Sequence, residues 1–391
     1  MSVGEIKRVA DAVLIGAFCV IIAVPLLGLP TNDPEMDIER TEHRRPAAFP
    51  LVEVNPETRW PDKRSLNDFP RRFEEWFNDH LAGRQYLILL HGLAEQYGVA
   101  GSMVVTPEEG LSPKTQVIVG REGWLYYAAD HSIADYRCTR PFTEQQLEQW
   151  RTALDARRDW LERRGIKFLV VIVPNKHTIY PEYLPRWMTR VGDKSRFDQL
   201  REHLQQTNSV EIVDLRSALT EAKANYETYS NTDSHWNEYG AYVGYREIIS
   251  RLRRWFPAAE PATYTEFATE YVDARDDLST MLNHPKPYRE KRVTVVLREP
   301  RKAPATSLAS TVSDDRRRTS LNPQAPLTTA VIMHDSFMRT LAPYLNEHWQ
   351  RITYVAGHDF PAELIEAEKP AVVIHEIVER QLMDLELNEP K

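Results

Sequence analysis

The sequence predicts an α/β fold built on a mainly parallel β-sheet with helices on both faces. Apolar runs with the length and composition of buried strands occur at 166–173, 210–213, 329–333, 352–355 and 371–374. Segments with helical periodicity alternate with them, at 197–206, 238–255, 337–348 and 362–368. Strands and helices that alternate in this way are typical of a parallel sheet, because each crossover returns the chain to the same end of the sheet.

Two further elements are predicted before the first strand of this sheet. Residues 116–119 and 124–127 are mostly apolar and flank a glycine-containing turn, which favours a β-hairpin. Thr143 and Gln146 have the spacing of a capping box, which predicts a helix from there to about residue 164.

A separate helix is predicted over 66–97. Its aromatic and aliphatic residues recur at helical spacing, and the simplest role for that stripe is packing onto the main domain. The stripe contains Phe69, Phe73, Trp76, Phe77, Leu81, Leu87, Leu90 and Leu93.

The overall composition excludes several classes of protein. The chain has 391 residues, of which 42% are hydrophobic, so it is too apolar to be disordered and long enough for one large domain with additions. Its formal net charge of −8 gives no support for nucleic-acid binding. The two cysteines, Cys19 and Cys138, are too few for a metal cluster, and we expect neither a bridge between them nor a metal or other cofactor.

Residues 12–30 form an almost uninterrupted apolar run. At ~1.5 Å per residue this run can just cross a hydrocarbon core of ~30 Å. Lys7 and Arg8 precede it, so the positive-inside rule places the N-terminus in the cytoplasm and the rest of the chain outside. A cleaved signal peptide is the alternative, but no clear cleavage site precedes Thr31 and the run is long for a signal sequence.

The remaining sequence divides into a linker at 31–65, a helical lead-in at 66–115 and a main domain at 116–391. The linker is rich in Pro, Glu and Arg and has no sustained period. Within the main domain, residues 286–319 carry ten Lys or Arg against four Asp or Glu. Part of this segment, 292–297, can form a strand. The rest is either a solvated loop insertion or a basic lip for an anionic polymer.

Asp233, His235 and Ser336 supply the three parts of a serine acyl-transfer site. A histidine can accept the proton of a serine, and a carboxylate two residues before it can orient the imidazole. Ser336 follows an apolar strand, where a parallel sheet presents its reactive groups. Each motif also has a structural alternative, because Asp335 or Ser336 can cap the following helix and Asp233 can cap the helix near residue 238.

Further polar residues are expected at the same edge of the sheet. The backbone N–H of Ser336 is the natural first oxyanion donor, and Asn175, just past the strand that ends at Val173, is a candidate second donor. Lys176 and Tyr180 follow it and are candidates for binding an anionic or hydroxyl-rich sugar, although a solvated lysine and a core tyrosine are equally compatible with the sequence.

The last strand is followed by three charged residues, Glu376, Glu379 and Arg380. The spacing of Glu376 and Arg380 favours a structural ion pair one turn apart on a helix.

These motifs, in this order, resemble the alginate O-acetyltransferase family (AlgJ/AlgX-type, SGNH-hydrolase-like). The resemblance covers about four fifths of the chain. It is carried by FEEWFNDHLAGR (73–84), GREGWLYY (120–127), VPNKHTIYPEYLP (173–185), NTDSHWNEYGA (231–241), DLSTML (277–282), HDSF (334–337) and KPAVVIHEIVERQL (369–382).

The resemblance implies an SGNH-hydrolase-like catalytic domain whose catalytic blocks are circularly permuted, with the D-x-H block first and the serine last. It assigns Ser336 as nucleophile, His235 as base and Asp233 as orienting acid. It implies a location on the periplasmic side of a bacterial inner membrane, to which the apolar run at 12–30 would anchor the chain as a single transmembrane helix. The implied partners are an exopolysaccharide substrate, a multi-pass membrane acyltransferase as acetyl donor, and other polysaccharide biosynthesis and export proteins. His334 departs from the family pattern, where glycine is usual.

Three functions follow as hypotheses. The first is an O-acetyltransferase that modifies hydroxyls of alginate or a similar polymer through an acetyl-serine. The second is a polysaccharide acetyl esterase, which uses the same acyl-enzyme. The third is a non-catalytic scaffold that binds polymer or tethers an export complex.

Overall fold

The computed structural model describes residues 47–52, 60, 62–80, 116–207, 209–262, 264–282, 288–297 and 316–390. The apolar run at 12–30, most of the linker, the second half of the helix predicted over 66–97, and the middle of the basic segment lie outside these residues. Within the described ranges, no helix combines the length and apolar character that a membrane crossing requires. The chain divides into two compact units, one of residues 1–104 with 280–286 and the other of 105–279 with 287–391.

The described part of the first unit centres on helix α1 (Lys63–His80). The aromatic first half of the predicted stripe is present: Phe73 stacks between Phe69 and Phe77, with ring centroids 5.8 and 6.3 Å away. The ring of Phe49 lies edge-on to Trp76 at 4.9 Å, so part of the stripe packs against the chain segment that precedes the helix.

The second unit alternates strands and helices. Its elements are β1 (Val117–Val119), β2 (Leu125–Tyr127), α2 (Ser132–Arg137), α3 (Glu144–Glu162), β3 (Lys167–Val173), α4 (Lys176–Ile179), α5 (Arg196–Gln206), β4 (Ile212–Asp214), α6 (Arg216–Ala222), α7 (Glu238–Leu252), β5 (Tyr264–Ala274), α8 (Asp277–Met281, which crosses the unit boundary), β6 (Tyr288–Leu297), β7 (Arg317–Leu321), β8 (Leu327–His334), α9 (Met338–Leu345), β9 (Trp349–Ala356), α10 (Ala362–Glu368) and β10 (Val372–Val378).

The central sheet has six strands in the order β4-β3-β10-β8-β9-β7. The first five strands of this order are parallel to their neighbours, and β7 pairs antiparallel with β9 at the edge. All five predicted strands are therefore confirmed, and so is the mainly parallel α/β architecture. The sequence analysis missed β7 because its sequence, RRTSL, is polar and largely exposed, as an edge strand can be.

The sheet is buried on both faces, which explains why its strands appear as continuous apolar runs. In β3, Val171 and Val173 belong to one core cluster, whereas Val170 and Ile172 belong to the other. Successive side chains of a strand point to opposite faces, so a strand covered on both sides cannot alternate apolar with polar residues.

Several local predictions are confirmed with shifted ends. Gln146 N donates to Thr143 Oγ1 (3.2 Å) and Thr143 N donates to Gln146 Oε1 (3.0 Å), which is the predicted capping box. β1 and β2 form the predicted hairpin. In the basic segment at 286–319, both described ends are strands rather than loop. β6 pairs antiparallel with β5 as a two-stranded ribbon, and the other end enters β7.

Candidate active site

The carboxyl ends of β3, β8 and β10 meet at one edge of the sheet, and the candidate residues follow them. Val173 ends β3, His334 ends β8 and Val378 ends β10. Ser336 lies in the turn between β8 and α9 and is exposed. None of residues 334–337 has a positive φ, so His334 occupies a backbone position that does not require the glycine usual in the family.

His235 lies between Ser336 and Asp233. Its Nε2 is 2.7 Å from Ser336 Oγ, and its Nδ1 is 2.7 Å from Asp233 Oδ1. The same Asp233 oxygen accepts a hydrogen bond from the His235 backbone N–H at 2.9 Å. With a proton on Nδ1 facing the carboxylate, Nε2 is the nitrogen that can accept the serine proton. The fold thus brings the three predicted triad residues together.

The capping alternatives do not account for these side chains. Helix α7 is capped by Asn237, whose Oδ1 accepts a hydrogen bond from Gly240 N at 2.9 Å, so Asp233 is not its cap. Helix α9 has no side-chain cap, and the Ser336 hydroxyl faces the imidazole instead. Asp335 organises the turn: its carboxylate accepts hydrogen bonds from Phe337 N (2.9 Å) and Val378 N (2.6 Å).

The Asp233 carboxyl remains acidic in this environment. Burial raises its pKa, but the hydrogen bonds from His235 and the positive charge of Lys176 outweigh burial and leave the pKa below its usual value. Asp233 is therefore an anion beside the imidazole over the physiological pH range.

Lys176 holds the loop that carries Asp233. Its side chain is buried, and its ammonium donates to the carbonyls of Ser230 (2.9 Å), Asn231 (3.2 Å) and Asp233 (2.7 Å). An ammonium has three N–H donors, and all three are used here. The prediction that Lys176 contacts a sugar is corrected, because the chain turns this side chain inward.

The other two predicted substrate residues are also committed elsewhere. Asn175 is buried, its Nδ2 donates to Asp135 Oδ2 at 2.8 Å, and its Oδ1 accepts from Arg380 at 3.3 Å. Tyr180 is buried, and its hydroxyl accepts a hydrogen bond from Thr228 N at 2.7 Å. Neither side chain is placed as an oxyanion or sugar ligand, and the core alternative for Tyr180 is the correct one. The Ser336 N–H remains a candidate oxyanion donor, since no described residue accepts a hydrogen bond from it.

The sequence analysis assigned Glu376 and Arg380 to a helix pair, which is wrong. Glu376 lies inside β10, while Arg380 follows it in a 3-10 helix at Glu379–Met383. Glu376 is buried, and its Oε2 accepts a hydrogen bond from Asp335 N at 3.1 Å, directly beneath the serine turn. The Arg380 guanidinium lies over the rings of Tyr127 (5.1 Å) and Phe337 (5.7 Å), so it places a positive charge beside the residue after Ser336.

Asp277 is a further residue whose role the sequence analysis missed. Its segment was matched to the family, but its carboxylate is 43 residues from the loop it contacts, so no local spacing identifies it. One ligand atom each of Asp233, His235 and Asp277 lie within 4.8 Å of one another, the spacing of a possible metal site in the described part of the chain. In this structure the Nδ1 of His235 and an oxygen of Asp233 face each other, which is the arrangement an acyl-transfer site uses.

Comparison with protein families gives a match over the region that contains this site. Residues 117–349, which include all three triad positions, match the family described as "SGNH hydrolase-like domain, acetyltransferase AlgX".

Curated relatives match over shorter stretches. The chain is 25% identical over 167 residues to "Probable alginate O-acetylase AlgJ" of Pseudomonas aeruginosa, covering 43% of this chain and 40% of the relative. It is 28% identical over 174 residues to the protein with the same description in Pseudomonas syringae pv. tomato, covering 42% and 41%. The matches span about two fifths of the length of these relatives.

The solved structures to which this chain is similar include the "O-Acetyltransferase Domain of Pseudomonas putida AlgJ". The two are 20% identical with a TM-score of 0.46, and the match covers 69% of this chain and 92% of the other. Pseudomonas aeruginosa AlgX gives 17% identity and a TM-score of 0.43, with 68% and 62% covered. The family match spans more than half of the residues of this chain. The chain therefore belongs to the AlgX-type family of SGNH hydrolase-like acetyltransferase domains.

Proposed function

We propose that this protein is an O-acetyltransferase that acetylates hydroxyls of alginate or a similar exopolysaccharide through an acetyl-serine. The observation that carries the proposal is that His235 contacts both other residues of the proposed triad. Its Nδ1 is 2.7 Å from Asp233 Oδ1, and its Nε2 is 2.7 Å from Ser336 Oγ. Membership of the acetyltransferase family supports the reaction class, and the name alginate O-acetylase given to its relatives supports the substrate class.

In the first half-reaction Ser336 Oγ attacks the carbonyl carbon of a donor acetyl ester, and His235 Nε2 takes the serine proton. The carbonyl oxygen becomes an oxyanion, to which the Ser336 N–H can donate. When the tetrahedral intermediate collapses, the bond to the donor oxygen breaks and His235 returns its proton to that oxygen. Asp233 stabilises the imidazolium that exists between these steps.

The second half-reaction runs the same steps in reverse with a new acceptor. A sugar hydroxyl gives its proton to His235 and attacks the acetyl-serine carbonyl. The Ser336 oxygen then leaves and recovers the proton from His235. Transfer requires that the acceptor reaches the acyl-enzyme before water does, so we expect the bound sugar to exclude water from the exposed Ser336.

We also propose a location and partners for this reaction. The apolar run at 12–30, with Lys7 and Arg8 before it, supports a single inner-membrane anchor with the catalytic unit in the periplasm. An acetyl group used there has to come across the membrane. A multi-pass acyltransferase is therefore the proposed donor, working beside other polysaccharide biosynthesis and export proteins.

The test is acetyl transfer by the purified protein from a small activated acetyl ester to mannuronate oligosaccharides. We expect mass spectrometry to find one acetyl group on Ser336 in the absence of acceptor, and on the oligosaccharide in its presence. Ser336→Ala should abolish both products, while Ser250→Ala, an exposed serine on α7, should retain both.

The same experiment separates the rival functions. Release of acetate at one rate with and without oligosaccharide, and no acetylated sugar, identifies an esterase. A protein that never acquires an acetyl group on Ser336 and binds the oligosaccharide with unchanged affinity after Ser336→Ala is a scaffold. Either result overturns the proposal.

A further inference from the structure

Two carboxylates flank the same nitrogen of the catalytic imidazole. Asp233 Oδ1 is 2.7 Å from His235 Nδ1, and Asp277 Oδ2 is 3.6 Å from the same atom. A single acid is sufficient to fix the tautomer of a catalytic histidine. The second carboxylate, at the start of α8, is therefore unexplained by the triad alone.

Asp277 is fixed in place by contacts to the residue between the two triad members. Its Oδ1 accepts hydrogen bonds from Ser234 N (2.8 Å) and from Leu278 N (2.6 Å), and its Oδ2 accepts one from the Ser234 hydroxyl. The Ser234 hydroxyl is itself 3.2 Å from His235 Nδ1. These contacts place the side chains of Asp277 and Ser234 next to each other on the Nδ1 side of the imidazole.

The loop that presents His235 is thus held from two sides. Lys176 binds its carbonyls from the β3 side, whereas Asp277 binds its N–H at Ser234 from α8. Removing either contact leaves a buried polar group without its partner, which costs more than the net value of the hydrogen bond.

We infer that Asp277 is a second acid for His235: it positions the imidazole through Ser234 and adds a negative charge that stabilises the imidazolium formed in each half-reaction. The inference rests on the proposed function, because it needs His235 to carry a proton during turnover. At 3.6 Å the carboxylate oxygen is beyond a normal hydrogen bond but close enough for a strong charge interaction in a partly buried site.

The charges around Asp277 agree with this role. Burial raises the pKa of Asp277, and the negative charge of Asp233 raises it further, whereas Ser234 and His235 lower it. Lys176 on α4 and Tyr127 at the end of β2 also interact electrostatically with Asp277. Since both aspartates repel each other, a proton on His235 relieves a repulsion that exists in the resting enzyme.

The test measures kcat, KM and their pH dependence for Asp277→Asn, with acetyl transfer from a small ester as the assay. We expect kcat to fall by about tenfold, equivalent to about 1.4 kcal/mol of transition-state stabilisation, with little change in KM. The acidic limb of the kcat profile should move to lower pH, because the imidazolium loses a nearby negative charge. Asp277→Glu keeps the negative charge, so the acidic limb of its kcat profile should lie at the same pH as that of the unmodified protein.

Asp276→Asn is the matched control. Asp276 accepts a hydrogen bond from Thr232 Oγ1 at 2.8 Å in the same loop, but it does not contact the imidazole. We expect this variant to leave the acidic limb in place. In an Asp233→Asn background, Asp277→Asn should lower the residual rate further, because it removes the remaining carboxylate.

The inference is overturned if Asp277→Asn leaves the acidic limb unmoved, whatever happens to kcat, or if Asp276→Asn moves it equally. If Asp277→Asn does not fold, the Asp277→Glu variant provides the test. An acidic limb at the same pH as in the unmodified protein supports the inference, and a displaced limb overturns it. Failure of the proposed function is distinguishable, since full activity of Ser336→Ala would show it independently of any result at Asp277.

Discussion

The indole Nε1 of Trp236 donates a hydrogen bond of 3.1 Å to the carbonyl of Phe337. Trp236 follows His235, the proposed base, and Phe337 follows Ser336, the proposed nucleophile; Trp236 and Phe337 are 101 residues apart in the sequence. Their rings are in edge contact at 5.6 Å, and the Phe337 ring also packs against His235 at 4.8 Å. This pair links the segment that carries His235 directly to the segment that carries Ser336.

Trp236→Phe should weaken catalysis more than it weakens the fold. The variant keeps an aromatic ring but removes the donor to Phe337, so we expect kcat to fall several-fold and the free energy of unfolding to fall by about 1 kcal/mol. Acetyl-transfer kinetics and urea unfolding measure the two effects. Trp255→Phe, a substitution at a partly exposed tryptophan, should change neither. Unchanged kcat in Trp236→Phe would contradict a role for this bond in aligning the site.

Activity should decline above about pH 8 because of Lys176. Burial lowers the pKa of this lysine to about 8, although Asp233 and other nearby acids act in the opposite direction. The neutral amine has two N–H donors for three carbonyls, so the loop that carries Asp233 loses one of its contacts.

The titration of Lys176 should increase the stability of the folded protein as pH rises, whereas it should decrease the activity. The unfolded lysine keeps its proton up to about pH 10.4, whereas the folded one loses it near pH 8, so the unfolded state binds more protons between these values. This group therefore favours the folded state as pH rises through that window. Measuring kcat and melting temperature together separates lost activity from unfolding. Lys223→Met, at a lysine that donates to the carbonyl of Ile179 at the end of α4, should keep the same alkaline limb. A constant kcat from about pH 7 to about pH 10 would refute the prediction.

Glu376 should make the stability of the fold decrease as pH rises above the usual pKa of a glutamate. Burial raises its pKa well above the usual value, and the charge of Asp335 raises it further. An acid whose pKa is raised by folding stabilises the protein at low pH, and this contribution is lost as pH rises through the folded-state pKa.

Glu376→Gln removes that ionisation and retains a carbonyl to accept from Asp335 N. We expect urea unfolding to show a smaller loss of stability with rising pH in this variant than in the unmodified protein. Glu363→Gln, at an exposed position of α10, should keep the original dependence. The same pH dependence in Glu376→Gln and the unmodified protein would show that Glu376 does not titrate with folding.

Gly240→Ala should destabilise the start of α7, directly after the segment that carries Asp233 and His235. A Cβ at this position would lie 2.1 Å from the Thr228 carbonyl oxygen and 3.1 Å from Trp236 Cβ. Backbone has to move to relieve such a contact, so we expect a loss of about 2 kcal/mol or more in the free energy of unfolding, with reduced kcat. Ser250→Ala, exposed on the same helix, should be neutral or slightly stabilising. Equal stability of the two variants would disprove the close approach.

The sequence by itself determined the five parallel strands of the sheet and the three triad candidates. β3, β8 and β10 are buried on both faces, and only apolar side chains fill such positions at low cost, so the strands are visible as runs. The triad is visible because Asp233 and His235 are two residues apart and Ser336 follows a strand end, and each of these is a local pattern.

Only the tertiary structure decided what the remaining polar residues do. Lys176 follows a strand just as a substrate ligand would, yet its ammonium points inward to three carbonyls more than 50 residues away. Asp277 reaches His235 from another element, and Glu376 lies under Asp335 because two strands are adjacent in the sheet. The direction in which a charged side chain points depends on which distant donors and acceptors the packed core brings within hydrogen-bonding distance. Local sequence carries the chemical type of a residue and not its partners.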